Sequence, residues 1–254
     1  MTLPRFAMLP VLLAFALGAI LGAAQAQEKA PAREEGTWMQ PFEAYAVDGN
    51  TVLYTGDYTM ERKGGLLREM QVYRDLNGKV VHRVESLYDE VNHRPVLYES
   101  SDFAADRGAH VSVTAKGWDY ELRDSKGNVT KSGHYDGNSS TYVWPNLMSL
   151  VDANWDEVKA GKVLSLELFF SSIGNTLAVK VAADGKSTLP GVQGEQFKVF
   201  AANAIVKLVM NPIYIVFSDE TPRRLVAFEG RSVVTDANKK NIELRIVFGP
   251  RKTG

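Results

Sequence analysis

Four histidines, three adjacent carboxylate pairs beyond residue 37 and one arginine pair are the residues of this sequence whose types could do chemistry. His82, His93, His110 and His134 stand far apart, and none forms the paired-histidine spacing that holds a metal on a helix. No metal ligand is assigned. His82 shares an alternating face with Val80 and Val84, where a lone histidine reads as a hydrogen-bonded structural residue. The carboxylate pairs are Asp89-Glu90, Asp156-Glu157 and Asp219-Glu220. Strand neighbours point to opposite faces, so such pairs make no acid–base couple and read as solvated surface. The chain has no Gly-x-Ser-x-Gly elbow, no glycine-rich phosphate loop and no calcium loop, so neither a catalytic residue nor a cofactor is assigned. Arg223 and Arg224 follow Pro222 in "SDETPRRLVAFEG" (218–230), which reads as a strand entry. One arginine is then solvated. The other faces inward and needs a carboxylate or an anionic head group.

The elements that must position these residues are mostly strands. Leu164, Leu166, Leu168 and Phe170 alternate with Ser165 and Glu167. Val111 and Val113 do the same, as do Trp118, Tyr120 and Leu122, then Leu177, Val179 and Val181, then Ile242, Leu244, Ile246 and Phe248. Period-2 alternation predicts antiparallel strands with one buried face. Asn77-Gly78, Asp136-Gly137 and Asp184-Gly185 read as two-residue hairpin turns, and Lys126 to Asn128 and Asp236 to Asn241 as longer loops. "RDLNGKV" (74–80) and "RDSKGNV" (123–129) look alike through shared turn chemistry. Only "YVWPNLMSLVDANWDEVKAGK" (142–162) has a helical rhythm. Pro145 suits its first turn, Leu147, Leu150, Val151, Trp155 and Val158 share a face, and Gly161 suits a left-handed cap. Asn146, Asp152, Asp156 and Glu157 are its polar positions. The fold class expected is mainly β: an antiparallel, half-open curved sheet or barrel with one α-helix at 144–159 packed across it.

The first 26 residues read as a cleaved signal peptide, with Arg5 before an apolar run and Ala24-Gln25-Ala26 as the cleavage site. Residues 27–36 read as a flexible leader. Residues 37–250 read as one β-rich domain, divisible into halves at 37–140 and 141–250. The chain has no cysteine, which excludes both disulfides and lipid attachment at a cysteine. Its net charge of −1 comes from interleaved signs, which argues against nucleic acid. A periplasmic location and no membrane span after processing are expected.

Four stretches carry a resemblance: "NLMSLVDANWDEVKAGKVLSLELFF", "VKVAADGKSTLPGVQGEQFKVFAANA", "NPIYIVFSDETPRRLVAFEGRSVVTD" and "IELRIVFG". Between Trp144 and Phe248 the chain resembles periplasmic β-rich proteins of a domain-of-unknown-function family. The resemblance implies a half-open antiparallel barrel with a helix across its mouth, similar in shape to the lipoprotein carriers LolA and LolB. It carries no catalytic residues. The resulting expectation is a non-catalytic envelope protein that holds a lipid or other hydrophobic ligand under the helix. Trp144, Leu147, Leu150, Val151, Trp155, Phe170 and Arg224 are the candidate lining residues. A scaffold or chaperone-like factor with envelope protein partners is one alternative. A hydrolase with carboxylates from distant strands is another.

Overall fold

A computed structural model describes residues 34–253, apart from 139, 172–173, 204–210, 237 and 239. The signal peptide expected at 1–26, and the leader up to 33, lie outside the described residues. The chain is mainly β, as the alternation predicts. Its first eight strands are β1 (Gly36–Ala46), β2 (Val52–Lys63), β3 (Leu66–Arg74), β4 (Val80–Asp89), β5 (Arg94–Asp102), β6 (Arg107–Thr114), β7 (Gly117–Asp124) and β8 (Val129–Tyr135). Then come β9 (Thr141–Tyr142), two helices α1 (Asn146–Ala153) and α2 (Trp155–Lys159), and β10 (Leu164–Phe170). The rest are β11 (Asn175–Lys186), β12 (Glu195–Ala201), β13 (Ile213–Phe217), β14 (Leu225–Thr235), β15 (Asn241–Phe248) and β16 (Lys252–Thr253).

All strands belong to one sheet. Its order is β8-β7-β6-β5-β4-β3-β2-β1-β15-β14-β13-β12-β11-β10-β9, with β16 beside β1. Two meanders thus meet where β1 pairs with β15, Ala44 opposite Ile246. Short loops force antiparallel neighbours. The exception is β9, whose two residues run parallel to β10 after the helices.

The two ends of the sheet overlap. Leu166 and Leu168 of β10 face the main core, while Phe169 faces the other way. There it meets Trp118, Tyr120 and Tyr135 at ring distances of 5.4, 5.7 and 5.6 Å. The inner face of β7–β8 therefore packs on the outer face of β10. Tyr135 Oη ties the overlap down through Thr176 at 3.0 Å and Glu167 at 3.2 Å. Gly137 belongs to this seam and not to a two-residue hairpin: a Cβ there would collide with the Trp118 ring. A Cβ at Gly174 would strike Tyr120 in the same way.

The other turns also depart from the expectation in part. Asn77-Gly78 sits inside a five-residue loop, where Asp75 Oδ1 accepts from the N–H groups of Asn77 and Lys79, both at 2.9 Å. Asp124 does the same for Lys126 and Asn128 at 2.9 Å, and Asp236 for Asn238 at 2.8 Å and Lys240 at 2.9 Å. An aspartate that opens the loop and caps it is the shared chemistry. Asp184-Gly185 is a bulge within β11, where the register with β12 shifts after Ala183.

The helical stretch is broken once. Asn154, at φ −108° and ψ 20°, separates α1 from α2, and its side-chain amide donates to the Leu150 carbonyl at 2.9 Å. The self-bonding habit of asparagine competes with helix propagation. Gly161, at φ 101°, ends α2 in a Schellman arrangement, with Gly161 N–H on Val158 O and Lys162 N–H on Glu157 O, both at 3.0 Å. No described helix is long and apolar enough to cross a membrane.

Candidate functional site

The helices sit against the concave face of the sheet. Leu147, Val151 and Val158 are fully enclosed, with Leu150 and Trp155 nearly so. Each such side chain contributes roughly 1.5–3 kcal/mol of burial before entropy is charged against it. Trp155 lies 4.9 Å from the Phe197 ring and 5.8 Å from Phe217. Trp144 meets Phe228 edge-on at 5.3 Å. Phe170 is partly buried against the same core.

Little room is left beneath the helices. The void there measures about 10 Å³, bounded by Trp144, Met148, Phe228, Tyr73 and Phe248 among others. That is about the least that holds one water molecule. Of the seven candidate lining residues, Trp144 alone borders it; the other apolar ones pack directly on the sheet. Met148 lies at helical spacing from Val151 and Trp155, the signal that points to it, and Phe228 shares its strand with polar residues. A larger cleft of about 190 Å³ lies elsewhere, beside Glu99 and Asp102 of β5, Arg107 of β6 and Phe103 in the turn between them. Arg107 there already faces Asp102 at 3.7 Å.

A polar cluster is set into the same interior. Asn146, expected on the polar face of the helix, is fully buried, because the sheet curls around the start of α1. Its amide donates to Ser86 Oγ at 3.4 Å. Ser86 reaches Glu69 Oε2 at 3.5 Å, and Tyr58 Oη donates to Glu69 Oε1. Burial lifts the Glu69 carboxyl to about 7, against the hydrogen bonds from Tyr58, Asn146 and Ser86 that lower it. Glu69 thus meets a phenol, a hydroxyl and an amide, which is not the facing carboxylate pair a glycoside hydrolase uses. No sequence signal marked Glu69: its partners come from three other elements.

His82 corrects a second expectation. It is buried edge-on to Tyr73 at 5.9 Å, and among the described residues neither ring nitrogen has a hydrogen-bond partner. Burial pushes its pKa down to about 4, so the ring is neutral and behaves as an aromatic wall. Asp156, Glu157, Asp219 and Glu220 are exposed, as expected, but Asp89 and Glu90 are mostly covered: Asp89 caps its loop by accepting from Val91 and Asn92, and Glu90 is paired with Arg62.

The arginine pair divides between two contacts. Arg223 stacks 4.3 Å over the Trp155 ring and lies 3.5 Å from Asp152 of α1. Arg224 lies 3.9 Å from Glu220. The arginine that touches the helices is therefore Arg223, while Arg224 has Glu220 beside it.

No family model matches this chain, and no curated protein matches it. Among solved structures it is similar to a β-barrel-like protein of domain of unknown function DUF1849 from Brucella abortus. That likeness has 12% identity and a TM-score of 0.45, over 88% of this chain and 100% of that one. It is also similar to a provisionally assigned lipoprotein from Parabacteroides distasonis, at 10% identity and a TM-score of 0.29, over 86% of this chain and 96% of that one.

Proposed function

We infer that the protein is an exported, non-catalytic envelope protein whose curved sheet receives a lipid or another hydrophobic ligand in the space now held by α1 and α2. One observation supports this above the rest. The interior is apolar, yet it is filled by two short helices joined through Asn154, and not by side chains of the sheet alone. Helices of eight and five residues have little stability of their own in water. They can be exchanged for a ligand that presents equal apolar area. The lipoprotein carriers LolA and LolB are the analogy of shape. Periplasmic residence and cleavage after Ala26 belong to this reading, as does a lining role for Trp144, Phe170 and Arg224, while Leu147, Leu150, Val151 and Trp155 of the helices are the apolar area the ligand replaces.

Native mass spectrometry of protein taken from its own periplasm tests it. The expected spectrum shows an added mass that delipidation removes. A bare chain in both samples would end the reading. The alternative, a scaffold in envelope assembly, has one observation in its favour: β8 ends the sheet and is largely exposed, Val129 among its residues. In-cell crosslinking from β8 that captures protein and leaves the lipid mass absent would favour that alternative.

A further inference from the structure

Four arginines gather beside the α1–α2 turn. Arg62 and Arg251 flank the Trp38 ring at 5.5 and 5.9 Å. Arg251 Nη2 donates to the Arg223 carbonyl at 3.1 Å, which draws in the Arg223-Arg224 pair. Three of the four have acidic partners. Arg62 grips Glu90 with two hydrogen bonds, at 2.6 and 3.1 Å. Arg223 has Asp152 at 3.5 Å, and Arg224 has Glu220 at 3.9 Å.

Arg251 is different. Among the described residues no carboxylate lies within ion-pair distance of it, and its Nε is enclosed without an acceptor. The side chain is half-buried. Its pKa is pushed down by burial first and by the like charges of Arg62 and Arg224, while Tyr58 and Asp152 act the other way. A guanidinium enclosed among its own kind costs free energy unless an anion joins it. Glu220 is too distant from Arg224 to hydrogen-bond and is mostly exposed, so it is readily displaced.

We propose that Arg251 and Arg224 form a site for a phosphate-type oxyanion, carried on a lipid head group or free in solution. Guanidinium forks match the oxygens of phosphate in pairs. A tetrahedral anion offers oxygens in several directions, which suits arginines that arrive from two separate segments. Trp38 flanks Arg251 with an apolar ring, and Arg223, whose carbonyl Arg251 binds, reaches the helices through Trp155. The proposal deepens the carrier reading and rests on it only for where the acyl chains go.

Calorimetric titration of the mature chain tests it with three probes: inorganic phosphate, monomeric dihexanoyl phosphatidylglycerol, and a neutral monoacylglycerol. Phosphatidylglycerol should bind more tightly than the neutral lipid. Arg251→Gln should weaken it by about tenfold or more, the loss of one charge-assisted contact, and Arg251→Lys by less. Arg224→Gln serves as the second variant should Arg251→Gln melt early. Displacement by inorganic phosphate alone identifies a free anion as the source; phosphate that fails to displace the lipid identifies the head group. Equal binding of charged and neutral lipid, or variants that match the wild type, overturns the site. Neutral lipid bound by every variant alongside that result leaves the carrier reading standing. Phosphate bound with neutral lipid refused sinks the carrier reading and keeps the arginine site.

Discussion

Glu69 is the residue whose chemistry is furthest from ordinary. Its carboxyl is pushed from 4.5 to about 7 because it is buried, so the folded chain holds a proton that the unfolded chain gives up. The sign follows from linkage. This contribution to stability is complete below 4.5 and is lost as the pH rises through about 7. Its full size is of order 3 kcal/mol. His82 runs the opposite way: held down from 6.5 to about 4, it favours the fold above 6.5, and that contribution is lost as the pH falls through about 4. The two slopes overlap in the wild type, and Glu69→Gln separates them. From pH 5 to pH 8, thermal melts of this variant should show stability gained relative to the wild type, because only the His82 slope remains. An unchanged difference between those two pH values would show that Glu69 ionises freely. Neither behaviour was legible from the residue alone. Glu69 lies on β3, among the alternating residues of an ordinary strand, and only its burial beside Asn146 and Tyr58 makes the carboxyl unusual.

At the scale of elements, the helices were the most legible part. A five-residue apolar face at helical spacing and a glycine after the last turn are local signals, and both describe the observed α1–α2 unit. The break at Asn154 was missed because asparagine is tolerated in many helices; its own side chain decides the matter by bonding to Leu150. Gly161 tests the cap. At φ 101° a side chain is strained, although a Cβ there meets nothing within 4 Å. Gly161→Ala should therefore cost about 1 kcal/mol from backbone strain alone. A urea titration reads this as a lower midpoint with an unchanged slope. A midpoint equal to the wild type would mean that the Schellman turn is not formed in solution. The hairpin loops were half legible. Aspartate and glycine marked turns, but whether Asx-Gly becomes a loop, a bulge or a packing cradle depends on what faces it. Trp118 decides this at Gly137, and the β11–β12 register decides it at Gly185.

For the whole molecule, the overlap of the sheet's two ends holds the sheet curved through side-chain packing where a closed barrel uses hydrogen bonds, and it leaves β8 largely exposed at the end of the sheet. Phe169 is the centre of that seam. Phe169→Ala removes its contacts with three aromatic rings and should destabilise the fold by about 3–5 kcal/mol. Hydrogen exchange should quicken first in β7 and β8. Uniform loss of protection across all strands would instead assign Phe169 to the common core. The sequence by itself determined the β character of the chain, the faces on which its strands bury residues, and the apolar helical segment. Those properties are periodicities, and a period is set by neighbours within a few residues. Tertiary structure alone decided that the sheet overlaps, that the helices fill its concave side down to a water-sized void, and that Arg251 meets Arg224 and Arg62 without an acid of its own. Alternation says which side chains share a face; only long-range packing says what that face will touch.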